Sequence, residues 1–436
     1  MLIFNKLINA EGGAKRYLTN VSWQLLERVF RVFVNFFVMV WLIRHLGPSD
    51  FGIYSYVISF VILFATMAKF GLNNILVKKI VEGGVDPGAL VNSAFTLKFF
   101  GSLLIFLLML IVLQLFEHEE SVNLYIAIIG MGFIFQSLDV VEYYHQAIVN
   151  MKPIVIAKLA QSIFSSVLKV VLIRFNMDLE WFFWTALLDI FFLSIFYLVI
   201  FYRMDVNSIR FNFDKLHLKS YWFSAWPIAL SNMAMIAYVK MDQIMLFSLI
   251  NKEAVGIYAA ATRVSEAWYF IPMIITATLF PSILNIKKKN IATYNDRFSA
   301  LFRLMILMGI IIALPLSFFS DKVILLLYGV EYMESSKILI IHAWVGLFIA
   351  LGMSASRWFI AENLQKLFLI RALTGLVINI ILNLMLIPLY GVIGAAVATL
   401  ISVIFANVFS YSFNKKLRPL FLMTVNSFNP FWAKTK

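Results

Sequence analysis

Cysteine is absent from the 436 residues. Disulfides, thiolate metal sites and thiol nucleophiles are thereby excluded. Histidine is nearly as scarce. His45, His118, His145, His217 and His342 are scattered, and no two of them stand at metal-ligand spacing on one helix, so no metal site is expected. Charge is sparse as well, at 14% of residues. Long polar stretches are missing: the longest lies around 203–219, too short to hold a soluble catalytic domain. A cleavable signal peptide is not expected, because Lys6, Glu11, Lys15 and Arg16 interrupt the apolar start and no small-residue cleavage site follows a long apolar run.

What remains is strongly apolar. The chain is 62% hydrophobic with a mean hydropathy of +0.89, and it carries 43 Phe, 17 Tyr and 10 Trp. That is the composition of a protein whose solvent is lipid. A bilayer crossing takes about 20 mostly apolar residues as a helix. On that rule the sequence contains about twelve spans, at 21–43, 51–74, 91–115, 122–147, 153–173, 180–201, 221–249, 254–283, 298–319, 336–358, 367–388 and 391–412. The fold class is therefore an all-α polytopic membrane protein. The expected organisation is an N-terminal six-helix lobe at 1–202, a cytoplasmic linker at 203–220, a second six-helix lobe at 221–413 and a basic tail at 414–436. With the N-terminus inside, 20 lysines and arginines fall in inner segments and 5 in outer loops, which places both termini in the cytoplasm.

The two halves share a short signature. Gly-Ile-Tyr stands at 52–54 after the first span and again at 256–258 after the seventh, each at the mouth of an even-numbered helix. Six spans per half give both halves the same orientation, so the repeats are expected to be parallel, with a cavity between them.

Eleven basic and six acidic residues lie inside the expected spans. A charge at mid-bilayer costs about 2.5–3.5 kcal/mol or more, and such residues usually face a watery cavity or one another. The surplus is positive, which suits an anionic cargo. Arg28, Arg31, Lys69, Lys98, Lys240 and Arg263 are the candidate cationic lining. Arginine suits phosphate because its planar fork binds two oxygens at once. Each candidate also has an ordinary reading. Glu27 and Arg31 stand at i, i+4 and can pair; Arg263 and Glu266 can pair at i, i+3. Lys69 and Lys98 can snorkel to headgroups, and Lys158, Lys169, Arg303, Arg357 and Arg371, nearer the helix ends, are expected to do so.

Asp139, Glu142 and His145 form one polar stripe on the fourth span. It reads either as a coupled carboxylate site for a proton or sodium ion or as the neutralising partner of lysines on neighbouring helices. Lys240 and Asp242 point to different faces of the seventh span, and Asp189 is expected to make a helix–helix hydrogen bond. Glu27, Asp139, Glu142, Asp242 and Glu266 are thus the candidates for ion coupling or charge pairing.

Several segments in order resemble the polysaccharide transporters of the multidrug/oligosaccharidyl-lipid/polysaccharide exporter superfamily, the O-antigen-type lipid-linked oligosaccharide flippases above all. They are LGPSDFGIY (46–54), KFGLNNILVKKI (69–80), DQIML (242–246), VGIYAAATRV (255–264), TLFPSIL (278–284), YGVEYMESS (328–336) and YGVIGAAVATLIS (390–402). The resemblance implies a twelve-helix, two-lobed transporter of the bacterial inner membrane and not an enzyme. It moves an undecaprenyl-diphosphate-linked oligosaccharide, an O-antigen or capsule-type repeat unit, from the cytoplasmic to the periplasmic leaflet. Its implied partners are that polyprenyl-linked sugar, membrane lipids and other polysaccharide-assembly membrane proteins, with no nucleic acid. No cofactor is expected beyond coupling to Na+ or H+ and the membrane potential. Two alternatives stay open: a cation-coupled multidrug exporter of the same superfamily, which would want an acidic cavity, and a membrane-embedded polysaccharide polymerase or ligase, which would want a large outer loop.

Overall fold

A computed structural model describes residues 13–115, 119–203, 211, 214–287 and 290–429. Most of the expected 203–220 linker and the last residues of the basic tail lie outside that set. The described residues are helical throughout, as an unbroken run of apolar side chains in lipid requires: each backbone donor must find its acceptor within the segment. In chain order the helices are α1 (Gly13–Ala68), α2 (Leu72–Glu82), α3 (Pro87–Leu113), α4 (Glu120–Phe135), α5 (Val140–Ala147), α6 (Lys152–Arg174), α7 (Leu179–Tyr202), α8 (Lys215–Leu249), α9 (Lys252–Glu266), α10 (Phe270–Lys287), α11 (Ile291–Phe318), α12 (Ser320–Tyr328), α13 (Ser335–Ala361), α14 (Gln365–Asn407) and α15 (Arg418–Asn426).

Nine helical segments among the described residues are long and apolar enough to cross a membrane. Two of them hold an internal break. The backbone leaves the helix at Gly47 in α1 (φ 69, ψ 174) and at Gly391 in α14 (φ 58, ψ −136). Both conformations lie where a side chain is disfavoured, so glycine is what the break requires. After Gly391 the chain turns back on itself. Asn379 then reaches Ser402, and Arg371 reaches Asn407, so α14 is an antiparallel hairpin of two limbs. All twelve expected spans fall on helix, including 221–249 on α8.

Three spans are less regular than their sequence suggests, the eighth because its helix breaks between Glu266 and Phe270. The second stops at Ala68 and resumes at Leu72, because Phe70 (φ 51) and Gly71 (φ 58) are left-handed. Phe70 is 4% exposed, and its ring fills the space where Gly101 of α3 lacks a side chain. Packing thus holds a conformation that a phenylalanine adopts only at a cost. The fourth span is split by a 3-10 turn at Gln136–Asp139, between α4 and α5.

The chain divides into two compact units, one of residues 1–45 and 57–236 and the other of residues 46–56 and 237–436. In the first unit α6 packs on α7, α4 on α7 and α2 on α5. In the second, α13 lies against α11, α14 and α9. A core in it joins Trp268, Phe298, Phe302, Trp358, Phe359 and Tyr411, and Leu420 and Met423 of α15 seal it.

The segment 46–56 carries the first Gly-Ile-Tyr into the second unit, where it meets the other copy. A Cβ on Gly52 would overlap the carbonyl oxygen of Lys252, and one on Gly256 would overlap that of Pro48. Each blocked carbonyl stands four residues before the opposite glycine, so the two helix starts cross backbone on backbone in a reciprocal arrangement. Their burial matches too: Ile53 and Tyr54 are each 5% exposed, Ile257 6% and Tyr258 2%.

Candidate functional site

The first unit holds its charges in pairs. Arg31 Nε lies 2.9 Å from Glu27 Oε1, an ion pair without an aligned hydrogen bond. Glu27 is buried, whereas the Arg31 side chain is 40% exposed. Arg28, next to this pair, is exposed, and so is Lys69, which stands at the break between α1 and α2. The Lys98 side chain is wholly buried. Its ammonium lies 3.2 Å from Asp139 Oδ2, donates to the Tyr143 hydroxyl at 3.4 Å and sits 5.2 Å from that ring's centre. One turn on, Lys158 donates to Glu142 Oε1 at 2.6 Å, and the Tyr197 hydroxyl donates to Glu142 Oε2 at 2.9 Å. His145 closes locally on the Val141 carbonyl.

Asp139 and Glu142, neighbours on one stripe in sequence, therefore diverge toward α3 and α6, each to its own lysine. The 3-10 turn is what lets Asp139 point away from α5. Lys158, expected to snorkel, is instead half of an ion pair, since a carboxylate on the preceding helix offers a better partner than distant headgroups. Asp189 of α7 accepts from Gln161 of α6 at 2.5 Å, the helix–helix bond its isolation suggested.

The second unit is built differently. Asp242 of α8 is 1% exposed, and no cationic side chain among the described residues pairs with it. Neutral groups surround it instead. Tyr258 of α9 donates its hydroxyl to Oδ2 at 2.7 Å, and Thr399 donates to the same oxygen. Oδ1 accepts from the amides of Asn379 and Asn383 at 3.0 and 2.6 Å. Thr399 Oγ1 also lies 3.0 Å from the Ala395 carbonyl. A buried carboxylate that keeps its charge in this way needs every lone pair engaged, and here four donors engage them.

The cluster has a second possible use. Asn383 Oδ1 has no hydrogen-bond partner although it is buried. An amide turned over keeps its shape and exchanges donor for acceptor. Asn379 and Asn383 could thus present oxygens beside the carboxylate, the Thr399 and Tyr258 hydroxyls and the Ala395 carbonyl. That is an oxygen shell for a hard cation. It holds a single carboxylate, and no group of three or more acidic or histidine side chains that could hold a metal occurs among the described residues.

Lys240 and Arg263 are half-buried nearby. No contact of ion-pair length joins Arg263 to Glu266, although the two stand three residues apart on α9. His342 Nδ1 and Ser265 Oγ lie 2.6 Å apart. Sequence reasoning ranked Asp242 with four other acids and missed Tyr258, Asn379, Asn383 and Thr399 altogether. The available signal was the four-residue spacing of Asn379 and Asn383 in an otherwise apolar helix.

The family described as "Polysaccharide biosynthesis protein" matches residues 17–287. Among individual relatives, a probable low-salt glycan biosynthesis flippase, Agl15, of Haloferax volcanii is 24% identical over 86% of this chain and 79% of its own. The capsular polysaccharide biosynthesis protein CapF of Staphylococcus aureus is 22% identical over 91% of this chain and 99% of its own. Of solved structures, the lipid II flippase MurJ in an inward closed conformation superposes with a TM-score of 0.69 at 17% identity, covering 94% of this chain and 91% of that one. At that identity the likeness speaks for the fold.

Proposed function

We propose that the chain, which belongs to the polysaccharide biosynthesis protein family, is a flippase for a lipid-linked glycan, and that its cargo is a polyprenyl-diphosphate-linked oligosaccharide. The family match and relatives named as flippase and capsule-biosynthesis protein support the general reading. The observation that carries the choice of cargo is the distribution of charge. In the first unit the acids at 139 and 142 are occupied by lysines, and Arg28 and the outward part of Arg31 remain accessible. The second unit offers Lys240 and Arg263, while Asp242 is sealed within neutral donors. What a substrate meets is therefore cationic, which suits a diphosphate and opposes the cationic drugs of a multidrug exporter.

The diphosphate cannot enter hydrocarbon without losing its hydration, at a cost no lipid tail repays. Guanidinium and ammonium groups replace that hydration while the prenyl chain stays in lipid. Movement of two negative charges outward is favoured by an inside-negative potential by about 4.6 kcal/mol per 100 mV. Asp242 supplies the coupling: a sodium ion or proton held there cancels the carboxylate charge, so occupancy changes which conformation its helices favour. In finer detail, the cargo is an undecaprenyl-linked repeat unit of O-antigen or capsule type, the membrane is a bacterial cytoplasmic membrane, and both termini lie in the cytoplasm, the side that the lysine and arginine bias selects.

The test is flipping of a fluorescent polyprenyl-diphosphate oligosaccharide in proteoliposomes, read by protection from a membrane-impermeant quencher. Protein-dependent flipping that Arg28→Ala and Arg263→Ala each lower at least tenfold is the expected result. Flipping unaffected by both substitutions removes the cationic account.

A further inference from the structure

The Asp242 cluster is one end of a longer polar seam. On the first limb of α14, Arg371, Gly375, Asn379 and Asn383 recur every four residues and are all buried. Residues at this spacing share one face, so the stripe runs about 18 Å along the helix. The returning limb answers with Thr399, Ser402 and Asn407, also buried. Hydrogen bonds connect the stripe: Asn383 donates to Asn379 at 3.0 Å, and Asn379 to Ser402 at 3.4 Å. Tyr238, one turn before Asp242 on α8, lays its ring against Gly375 of the stripe. Arg371 ends the seam by donating to Asn407 Oδ1 at 3.0 Å and to the Tyr411 hydroxyl at 3.1 Å.

Arg371 was expected to reach for headgroups, and it does the opposite. It is 8% exposed, with its guanidinium 4.6 Å from the Phe368 ring centre and 5.7 Å from that of Phe359. Among the described residues no carboxylate pairs with it, and its Nε has no hydrogen-bond partner. A neutral residue would close the hairpin at lower cost, since a buried cation without a counter-ion is expensive. Among the described residues the seam thus has a carboxylate without a cation near one end and a guanidinium without a carboxylate at the other; amides and a hydroxyl lead from Asp242 to Ser402, and Gly375, packed on Ala406 and the Tyr238 ring, lies between them and Arg371.

Hydroxyl and amide oxygens in file are a path along which a small cation can move, and fixed arginines exclude cations from such paths. We propose that Arg371 is a fixed positive plug at the Gln365 end of the seam. It confines exchange of the ion at Asp242 to the other end and prevents uncoupled cation flow along α14. This rests on Asp242 being a cation site.

The experiment has two stages, both on the full-length protein. Sodium binding is first measured on wild type and on Asp242→Asn in detergent. Sodium-dependent stabilisation present in the first and absent in the second is expected. If neither protein responds to sodium or to pH, the coupling reading falls and takes the plug with it. Radioactive sodium uptake into substrate-free proteoliposomes follows. Arg371→Gln should raise uptake at least tenfold over wild type, Arg371→Lys should stay within about twofold, and the Asp242→Asn/Arg371→Gln double variant should return to the wild-type level. Asn407→Asp is the second route, because a carboxylate on the guanidinium cancels its field with the arginine still in place. It too should leak, and it serves if Arg371→Gln does not fold. Normal sodium binding together with wild-type uptake in the folded variants overturns the plug and leaves the Asp242 site standing. In that case Arg371 is only a brace between the two limbs.

Discussion

Replacing Lys98 with methionine separates structure from transport at one position. The ammonium is wholly buried and 3.2 Å from Asp139, whose side chain is 20% exposed. Methionine matches the lysine stem in length, so packing changes little and the loss is electrostatic. It strands the Asp139 carboxylate beside Glu142 without its cation. Breaking a buried pair by removing one partner costs about 3–5 kcal/mol. Because Asp139 keeps some access to solvent, we expect the lower end, about 3 kcal/mol. Removing both charges in Lys98→Met/Asp139→Leu leaves nothing stranded and should restore stability to within about 1 kcal/mol of wild type or above it. Asp139→Leu alone strands the wholly buried ammonium and should cost about 3–5 kcal/mol, so the coupling energy of the cycle is about 5–8 kcal/mol. Denaturant or thermal unfolding in mild detergent measures it, and the flipping assay runs alongside. Additive effects would refute the claim that the two groups serve each other. A double variant that is stable but does not transport would show that Lys98 meets the cargo in another conformation.

Alanine at Gly52 or Gly256 forces a methyl group into a backbone carbonyl; each should lower stability by about 1–3 kcal/mol, and a melting temperature equal to wild type in either would contradict the crossing. Asp242→Asn should remove any stabilisation by sodium without lowering stability in its absence, because the amide relieves a buried charge; a sodium shift unchanged in the variant places the ion elsewhere. A single cysteine at Ser121 should react with an impermeant thiol reagent added outside cells, and one at Asn290 only after permeabilisation. The opposite pattern would invert the topology.

The helices were legible because lipid leaves the chain so few options. Length and apolarity alone locate all twelve spans, and the positive-φ glycines at 47 and 391 fall where the text of the sequence turns polar or aromatic. The break at Phe70 and Gly71 was not legible. Its sequence, Lys-Phe-Gly, sits within a run apolar enough to pass as one helix, and its cause is the missing side chain of Gly101, some thirty residues away. Charge roles divided the same way. Pairs at i, i+4, such as Glu27 with Arg31, follow from helix geometry. Lys98 with Asp139 and Lys158 with Glu142 depend on which helices are neighbours, which no local pattern states. The Asp242 cluster was hidden for another reason. The groups around it are neutral, so a search for charge passes over all four, Tyr258 on α9 and Asn379, Asn383 and Thr399 on α14.

The reciprocal glycine crossing also has a consequence in time. Gly52 and Gly256 are separated by about 200 residues, and chains grow at about 5–20 residues per second. The first helix start therefore waits roughly 10–40 s in the membrane before its mate is synthesised. During that wait its side-chain-free strip is open to any passing helix with a small residue, including the same strip on a second nascent copy. Biogenesis must hold the segment 46–56 in reserve through the making of five further spans. Two co-expressed fragments divided within residues 204–210 should then be able to complete the second unit only when both are inserted close together, and a fragment beginning at residue 237 would lack eleven residues of its own core.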